Sequence, residues 1–163
     1  MKNKIYIIGP VCSGKTTLSN NISSKLGIRA YELDKVIWDD DNGNVRRSQD
    51  DINSLFKKIV NNNKWIIEDI GREEFIEGLK EADIVYYLDI SPFVLYKRCV
   101  FRWIKQKIGI ESYNYKPTIK SLFENFGWIK RDVNNKKVKL NYIRKYSRKY
   151  VILNKKNIKD IFN

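Results

Sequence analysis

Histidine is absent from all 163 residues, which excludes imidazole acid–base catalysis, histidine metal ligation and serine-type triads. Cysteine is nearly absent as well, with Cys12 and Cys99 alone. Neither reads as half of a structural disulfide, and both read as small space-filling residues. No apolar run approaches the roughly 20 residues of a membrane-spanning helix. The N-terminal residues lead directly into a strand pattern, so no targeting segment is expected and a cytoplasmic location is. Acidic residues are scarce in one part only. Residues 98–163 carry 4 Asp+Glu against 18 Lys+Arg, whereas residues 1–97 carry 15 against 14.

The whole net charge of +13 therefore lies in the C-terminal part. A basic block of this kind suits polyanionic substrates, nucleic acid, or solubility alone. Lysine outnumbers arginine 23 to 9, so part of the excess reads as a solvated face. With 42% apolar and 13% aromatic residues the chain is globular rather than disordered. Its length fits one domain over 1–163, able to bury roughly 70% of the surface an unfolded chain exposes.

What is present is a phosphate cradle. The apolar stretch Ile5-Tyr6-Ile7-Ile8 runs into Gly9-Pro10-Val11-Cys12-Ser13-Gly14-Lys15-Thr16-Thr17, which fits G-x-x-x-x-G-K-[ST]. A helix follows with Leu18, Ile22 and Leu26 on one face. Gly9 and Gly14 let the backbone wrap phosphate oxygens, and the N–H groups of Cys12 through Thr17 add the positive end of the helix. Lys15 is placed to reach the β- and γ-phosphates and Thr16 to bind Mg²⁺. A nucleoside triphosphate, ATP, is the expected cofactor.

Strand and helix patterns alternate along the chain, which predicts an α/β fold with a parallel sheet and helices on both faces. Strands are expected at Lys4–Ile8, Arg29–Leu33, Lys64–Asp69, Ile84–Asp89 and Tyr150–Leu153. Helices are expected after the P-loop, from a Ser48 cap to about Val60, over Glu73–Lys80, and from Ser91-Pro92 to about Lys107. Further helical patterns run from Thr118 to about Arg131, from Asn135 to about Tyr146, and over Ile158–Phe162. The segment 39–43 reads as polar and turn-like, and 109–117 as irregular.

Ligands of open α/β sheets bind at the C-terminal ends of the strands. Asp34, Glu68, Asp69 and Asp89 fall at such ends. Glu68 or Asp69 suits the metal side, and Asp34 suits the acceptor, as general base toward an alcohol. Each can equally cap a helix or face solvent. Arg98, Arg102 and Lys105 share one face of the helix after the fourth strand, a candidate anion clamp.

The runs G-P-V-C-S-G-K-T-T-L, Y-E-L-D and W-I-I-E-D-I-G-R resemble the nucleoside-monophosphate-kinase-like P-loop proteins. The closest resemblance is to the adenylate-kinase-related DNA topology modulation (FlaR-like) group, over nearly the full length. It implies a three-layer fold with five parallel strands in the order 2-3-1-4-5, an acceptor-binding segment at about 35–62 and a small lid at about 105–131. It also implies that Arg72 holds the acceptor, that Asp89 closes strand four, and that Arg98 and Arg102 stabilise the transferring phosphoryl. Arg131 is a further candidate to close over the phosphates, and Trp38 to stack on the acceptor.

Three functions compete. The first is an ATP- and Mg²⁺-dependent kinase whose acceptor is a small molecule, a nucleotide or nucleoside. The second is a nucleic-acid-associated P-loop protein, with Tyr113, Tyr115, Tyr142, Tyr146 and Tyr150 interleaving with lysines. The third is a nucleotide switch without turnover. Monomer and homodimer both stay open.

Overall fold

In the computed structural model, which describes residues 3–39, 41–111 and 116–161, one sheet separates two helical layers. Its strands are β1 (Lys4–Ile8), β2 (Ala30–Glu32), β5 (Trp65–Asp69), β6 (Ile84–Leu88) and β7 (Tyr150–Leu153), all parallel in the order β2-β5-β1-β6-β7. Counted within the sheet alone, that is the expected 2-3-1-4-5. The central strands are apolar almost throughout because helices cover both faces.

Alternate residues feed two cores, as the twofold period of a strand requires. Tyr6, Ile8, Trp65, Ile67, Val85 and Tyr87 point to one side. There they meet Ile52, Phe56 and Ile59 of α3 (Gln49–Val60), Leu79 of α4 (Ile76–Glu81) and Ile143 of α7 (Lys136–Tyr146). Ile5, Ile7, Ile66, Ile84, Tyr86 and Leu88 point to the other. They pack on Leu18 and Ile22 of α1 (Lys15–Leu26), Leu95 and Cys99 of α5 (Pro92–Lys107), and Ile129 of α6 (Ile119–Asn134).

Register sets the functional end of the sheet. Ile8 lies opposite Asp69 and Tyr87, and Glu32 opposite Glu68, so the strands finish level beneath the P-loop. Helix starts are chemically marked. Ser48 accepts from the Asp51 amide, and Thr118 and Ser121 cap each other reciprocally at the head of α6.

One stretch differs from expectation. The second strand ends at Glu32, and a short helix α2 (Leu33–Ile37) takes over, carrying Asp34 in its first turn. The stretch read as turn-like joins the two strands of an antiparallel hairpin, β3 (Trp38–Asp39) with β4 (Val45–Arg46), which were not expected. It closes through the Asn44 amide on the Asp39 carbonyl at 2.7 Å, with Gly43 and Asn44 at positive φ. Arg47 fixes it, donating to the carbonyls of Lys35 and Trp38 and pairing with Asp39 at 3.0 Å. Two-residue strands are too short to show a period. The predicted helix over 158–162 is a short 3-10 turn, Ile158–Ile161, with Phe162 outside the described residues.

Candidate nucleotide and acceptor site

The P-loop leaves β1 at Gly9, where there is no room for a side chain. A Cβ there would stand 2.8 Å from Ser13 Oγ and 2.9 Å from Leu88 Cβ. The loop then turns through Cys12 (φ 62°) and Gly14 (φ 98°), and Lys15 opens α1. The Ser13 amide bonds the Pro10 carbonyl at 3.2 Å. Lys15 Nζ folds back onto the same carbonyl at 3.0 Å, so the ammonium sits inside the loop it belongs to. Burial pushes this amine below the ordinary lysine range, against the opposing pull of Glu68, Asp69 and Asp34. Thr16 and Thr17 are exposed in the first turn, while Ser13 Oγ is buried without a partner.

The two acids ending β5 have different tasks. Glu68 is 5% exposed and accepts the Thr16 hydroxyl at 2.6 Å on one oxygen, while the other is buried with no partner. Burial raises its pKa, and the Thr16 bond and Lys15 counter this only in part. Asp69 turns away toward the chain that follows. It accepts from the amides of Gly71 at 2.7 Å and Arg72 at 2.6 Å, and from the Arg72 guanidinium. Of the two metal-side candidates, only Glu68 faces Thr16.

Arg72 reaches from Asp69 to Asp34, whose carboxylate it meets at 2.5 Å. Burial opposes its charge, but the two carboxylates outweigh that and hold its pKa above the ordinary arginine value. Asp34 and Arg72, far apart in sequence, thus form one pair beside the P-loop. Trp38 opens the hairpin, partly buried and packed against the core.

The arginines of α5 part company. Arg98 Nη1 donates to the Ser13 carbonyl at 2.6 Å, on the underside of the P-loop. Arg102 turns outward to Glu111 at 3.2 Å, and Lys105 is exposed. Arg98 and Arg102 thus contact separate partners here. Arg131 is exposed on α6, and its side chain makes no hydrogen bond or ion pair among the described residues. Tyr113 and Tyr115 lie outside the described residues.

A polar cluster behind the loop went unread in the sequence. Asp132 of α6 accepts the Val11 amide at 3.3 Å and Lys139 Nζ at 2.6 Å, and Lys139 also reaches the Ile70 carbonyl at 2.7 Å. Asp89 is held by Lys136 through both oxygens at 2.7 Å. The signal that could have found Asp132 is its isolation: it is one of four acids among residues 98–163. Among the described residues, no group of three or more Asp, Glu, Cys or His is placed to hold a metal. No helix among them is long and apolar enough to cross a membrane.

A family profile described as an AAA domain matches residues 5–116. No curated protein matches the chain. Among solved structures, shikimate kinase from Acinetobacter baumannii in complex with shikimate superposes with a TM-score of 0.60 at 16% identity, covering 99% of this chain and 89% of that one. Shikimate kinase from Bacteroides thetaiotaomicron gives 0.59 at 14% identity, over 93% and 87%. A gluconokinase from Sinorhizobium meliloti 1021 gives 0.50 at 14% identity, over 94% and 82%. At these identities the similarity is one of fold, and the fold is that of the P-loop kinases.

Proposed function

This chain belongs to the AAA domain family, and we propose that it acts as an ATP-dependent phosphotransferase on a small-molecule acceptor. The observation that carries the reading is the arrangement of two dissimilar half-sites around one loop. On the donor side stand Lys15, Thr16, Glu68 and Arg98; on the acceptor side stands the Asp34–Arg72 pair.

On the donor side, Lys15 exchanges the Pro10 carbonyl for the β- and γ-phosphates of ATP. The amides of Cys12 through Thr17 hold the phosphate oxygens at the head of α1. Arg98 supports the cradle from below by its bond to Ser13, leaving its remaining donors to a phosphoryl oxygen. The buried, unpartnered oxygen of Glu68 beside the Thr16 hydroxyl fits Mg²⁺. One carboxylate, one hydroxyl and substrate phosphates is the ligand set this ion commonly takes. Held there by Thr16 and Glu68, the ion would supply positive charge against the charge that develops on the phosphoryl oxygens.

On the acceptor side, Asp34 is exposed and pairs with Arg72 at 2.5 Å. It takes the proton of an acceptor hydroxyl as that oxygen attacks the γ-phosphorus, the bond to the β-phosphate oxygen breaks, and ADP leaves. Arg72 places the acceptor and holds Asp34 in line, anchored from below by Asp69. The hairpin carrying Trp38 and the helices α2 and α3 frame this side. Shikimate and gluconate, named for the structural neighbours, are both hydroxy acids. The residues Y-E-L-D and W-I-I-E-D-I-G-R favour a nucleotide or nucleoside, in line with their resemblance to the adenylate-kinase-related topology modulation group.

A panel of nucleosides, nucleoside monophosphates, shikimate, gluconate and sugar alcohols, assayed for ADP release, tests the reading. Stimulation by one acceptor, abolished in Lys15→Ala, supports it. ADP release at one unstimulated rate across the panel contradicts it. The exposed basic residues of α5–α7 favour nucleic acid as the competing partner. Binding that collapses steeply with salt and ignores sequence identifies charge attraction alone.

A further inference from the structure

We propose that Asp132 and Lys139 are positioning residues whose ion pair fixes the P-loop relative to the chain that carries Arg72, so that donor and acceptor sides meet in one register. Asp132 stands in the last turn of α6 and Lys139 in the first turn of α7, on either side of the joint at Asn135. The pair closes at 2.6 Å, with the two side chains 9% and 16% exposed. One Asp132 oxygen takes Lys139, and the other accepts the Val11 amide at 3.3 Å. Lys139 Nζ also donates to the Ile70 carbonyl at 2.7 Å. Four groups thus form one line, from the shoulder of the P-loop to the residue two places before Arg72.

Both ends of this line hold main chain, so it constrains the path of the backbone rather than a rotamer. At the near end, the Val11 amide lies outside the set from Cys12 to Thr17 that wraps phosphate, so its bond to Asp132 does not compete with nucleotide. At the far end the contact is packed as well as bonded. Gly71 has φ 91°, and a Cβ there would meet Ile8 Cγ2 at 3.0 Å and Lys139 Cδ at 3.6 Å. The lysine stem therefore lies against the glycine while its ammonium reaches the preceding carbonyl. Beyond that point the amides of Gly71 and Arg72 bond Asp69 at 2.7 Å and 2.6 Å, and the Arg72 guanidinium meets Asp34. The arm that carries Arg72 is thus held by Asp69 from within the sheet and by Lys139 from α7.

A largely buried ion pair is a weak source of net stability, because desolvation offsets its attraction. What this pair adds is a defined separation between two stretches of backbone. Transfer needs the reacting atoms about 3–3.5 Å apart, and a misplacement of about 1 Å can cost about 10²-fold in rate. Asp132 and Lys139 touch neither reacting group. They act through Val11 on the donor side and through the Ile70–Arg72 segment on the acceptor side. That catalytic consequence rests on the phosphotransfer reading above; the mechanical link between loop and arm does not.

The link is tested without turnover, by amide hydrogen exchange on the full-length protein free of nucleotide. Asp132→Asn keeps an oxygen for the Val11 amide, withdraws the charge that holds Lys139, and touches neither Gly71 nor Arg72. Exchange at Gly71 and Arg72 should nonetheless quicken by at least about tenfold, while the core amides of β1 and β6 keep their protection. Lys139→Met, which retains the apolar stem, should give the same pattern, and the double variant should exchange no faster than Lys139→Met alone. Unchanged exchange at Gly71 and Arg72 in Asp132→Asn overturns the link, as does additive acceleration in the double variant. Equal acceleration over the whole sheet marks a stability effect only and overturns it too. The consequence for transfer is read with the acceptor that the panel identifies, per folded molecule and well below the melting temperature. Lys139→Met should lower kcat/KM for that acceptor by at least about tenfold and leave affinity for a fluorescent ATP analogue within about threefold. Transfer within about twofold of wild type overturns the positioning role. Wild-type protein that transfers to no acceptor contradicts the phosphotransfer reading, while the exchange pattern still decides the link.

Discussion

Thr16 donates its hydroxyl to Glu68 at 2.6 Å, and the second carboxylate oxygen of Glu68 is buried beside it with no partner at all. An unmatched buried charge costs stability unless something binds it. The folded-state pKa of Glu68 lies above its unfolded value, so folding favours the protonated form. Its contribution to stability is fully present below the unfolded carboxylate value and is lost as pH rises through the raised folded value. Glu68→Gln should therefore stabilise the protein at neutral pH by about 1 kcal/mol, or roughly 2–4 °C. It should also flatten this dependence while removing Mg²⁺-dependent nucleotide affinity. Thermal melts from pH 4 to 8, with and without Mg²⁺ and nucleotide, check both parts.

Arg72 spans Asp69 and Asp34, and a lysine cannot make both contacts. Arg72→Lys should raise the KM for acceptor while leaving that for ATP within about a factor of two, since each tenfold change corresponds to roughly 1.4 kcal/mol. The stability loss should be about 1–3 kcal/mol, because Asp69 keeps its two backbone donors. Steady-state kinetics with each substrate varied in turn separates these effects.

Gly9→Ala adds a methyl 2.8 Å from Ser13 Oγ and 2.9 Å from Leu88 Cβ. Overpacking of this kind costs about 1–3 kcal/mol. The strain falls on the turn from β1 into the loop, so nucleotide affinity should drop more than the fold loosens. Urea denaturation compared with nucleotide titration shows which effect is larger.

Asp132→Ala removes the acceptor of the Val11 amide and the ion-pair partner of Lys139. Both groups lie largely inside the protein, and breaking such a pair costs about 3 kcal/mol. The Ile70 carbonyl still holds Lys139 and moderates the loss. Lys139→Met in the same background should cost little more, because the two changes share one interaction. Chemical unfolding of the single and double variants measures that coupling.

The sheet was legible because most strands are short apolar runs, with Gly9 following β1, Asp69 ending β5 and Asp89 following β6, and two of the helices by the cap signals at Ser48 and Ser91. Gly9 through Thr17 fixed the functional end of the sheet without any tertiary information. The α2 turn and the Trp38–Arg46 hairpin were hidden because two- and five-residue elements show no period, and Arg47 holds them through contacts sequence spacing does not display. The split between Glu68 and Asp69 was hidden for a related reason. Adjacent strand residues face opposite sides, but which side meets Thr16 depends on register with β1. The contacts of Arg98 with Ser13 and of Arg102 with Glu111 could not be read from helical spacing, because they depend on how α5 sits against the P-loop and on the chain beyond it.

Transfer of label from γ-radiolabelled ATP is the most direct measure of whether this loop drives phosphotransfer. With wild-type protein and the acceptor panel, label should appear covalently on one acceptor. Lys15→Ala should abolish the transfer, and Asp34→Asn should slow it by about 10²–10⁴-fold if the acceptor is an alcohol. Label recovered only as inorganic phosphate, whatever acceptor is present, would contradict the account and leave a nucleotide hydrolase in its place.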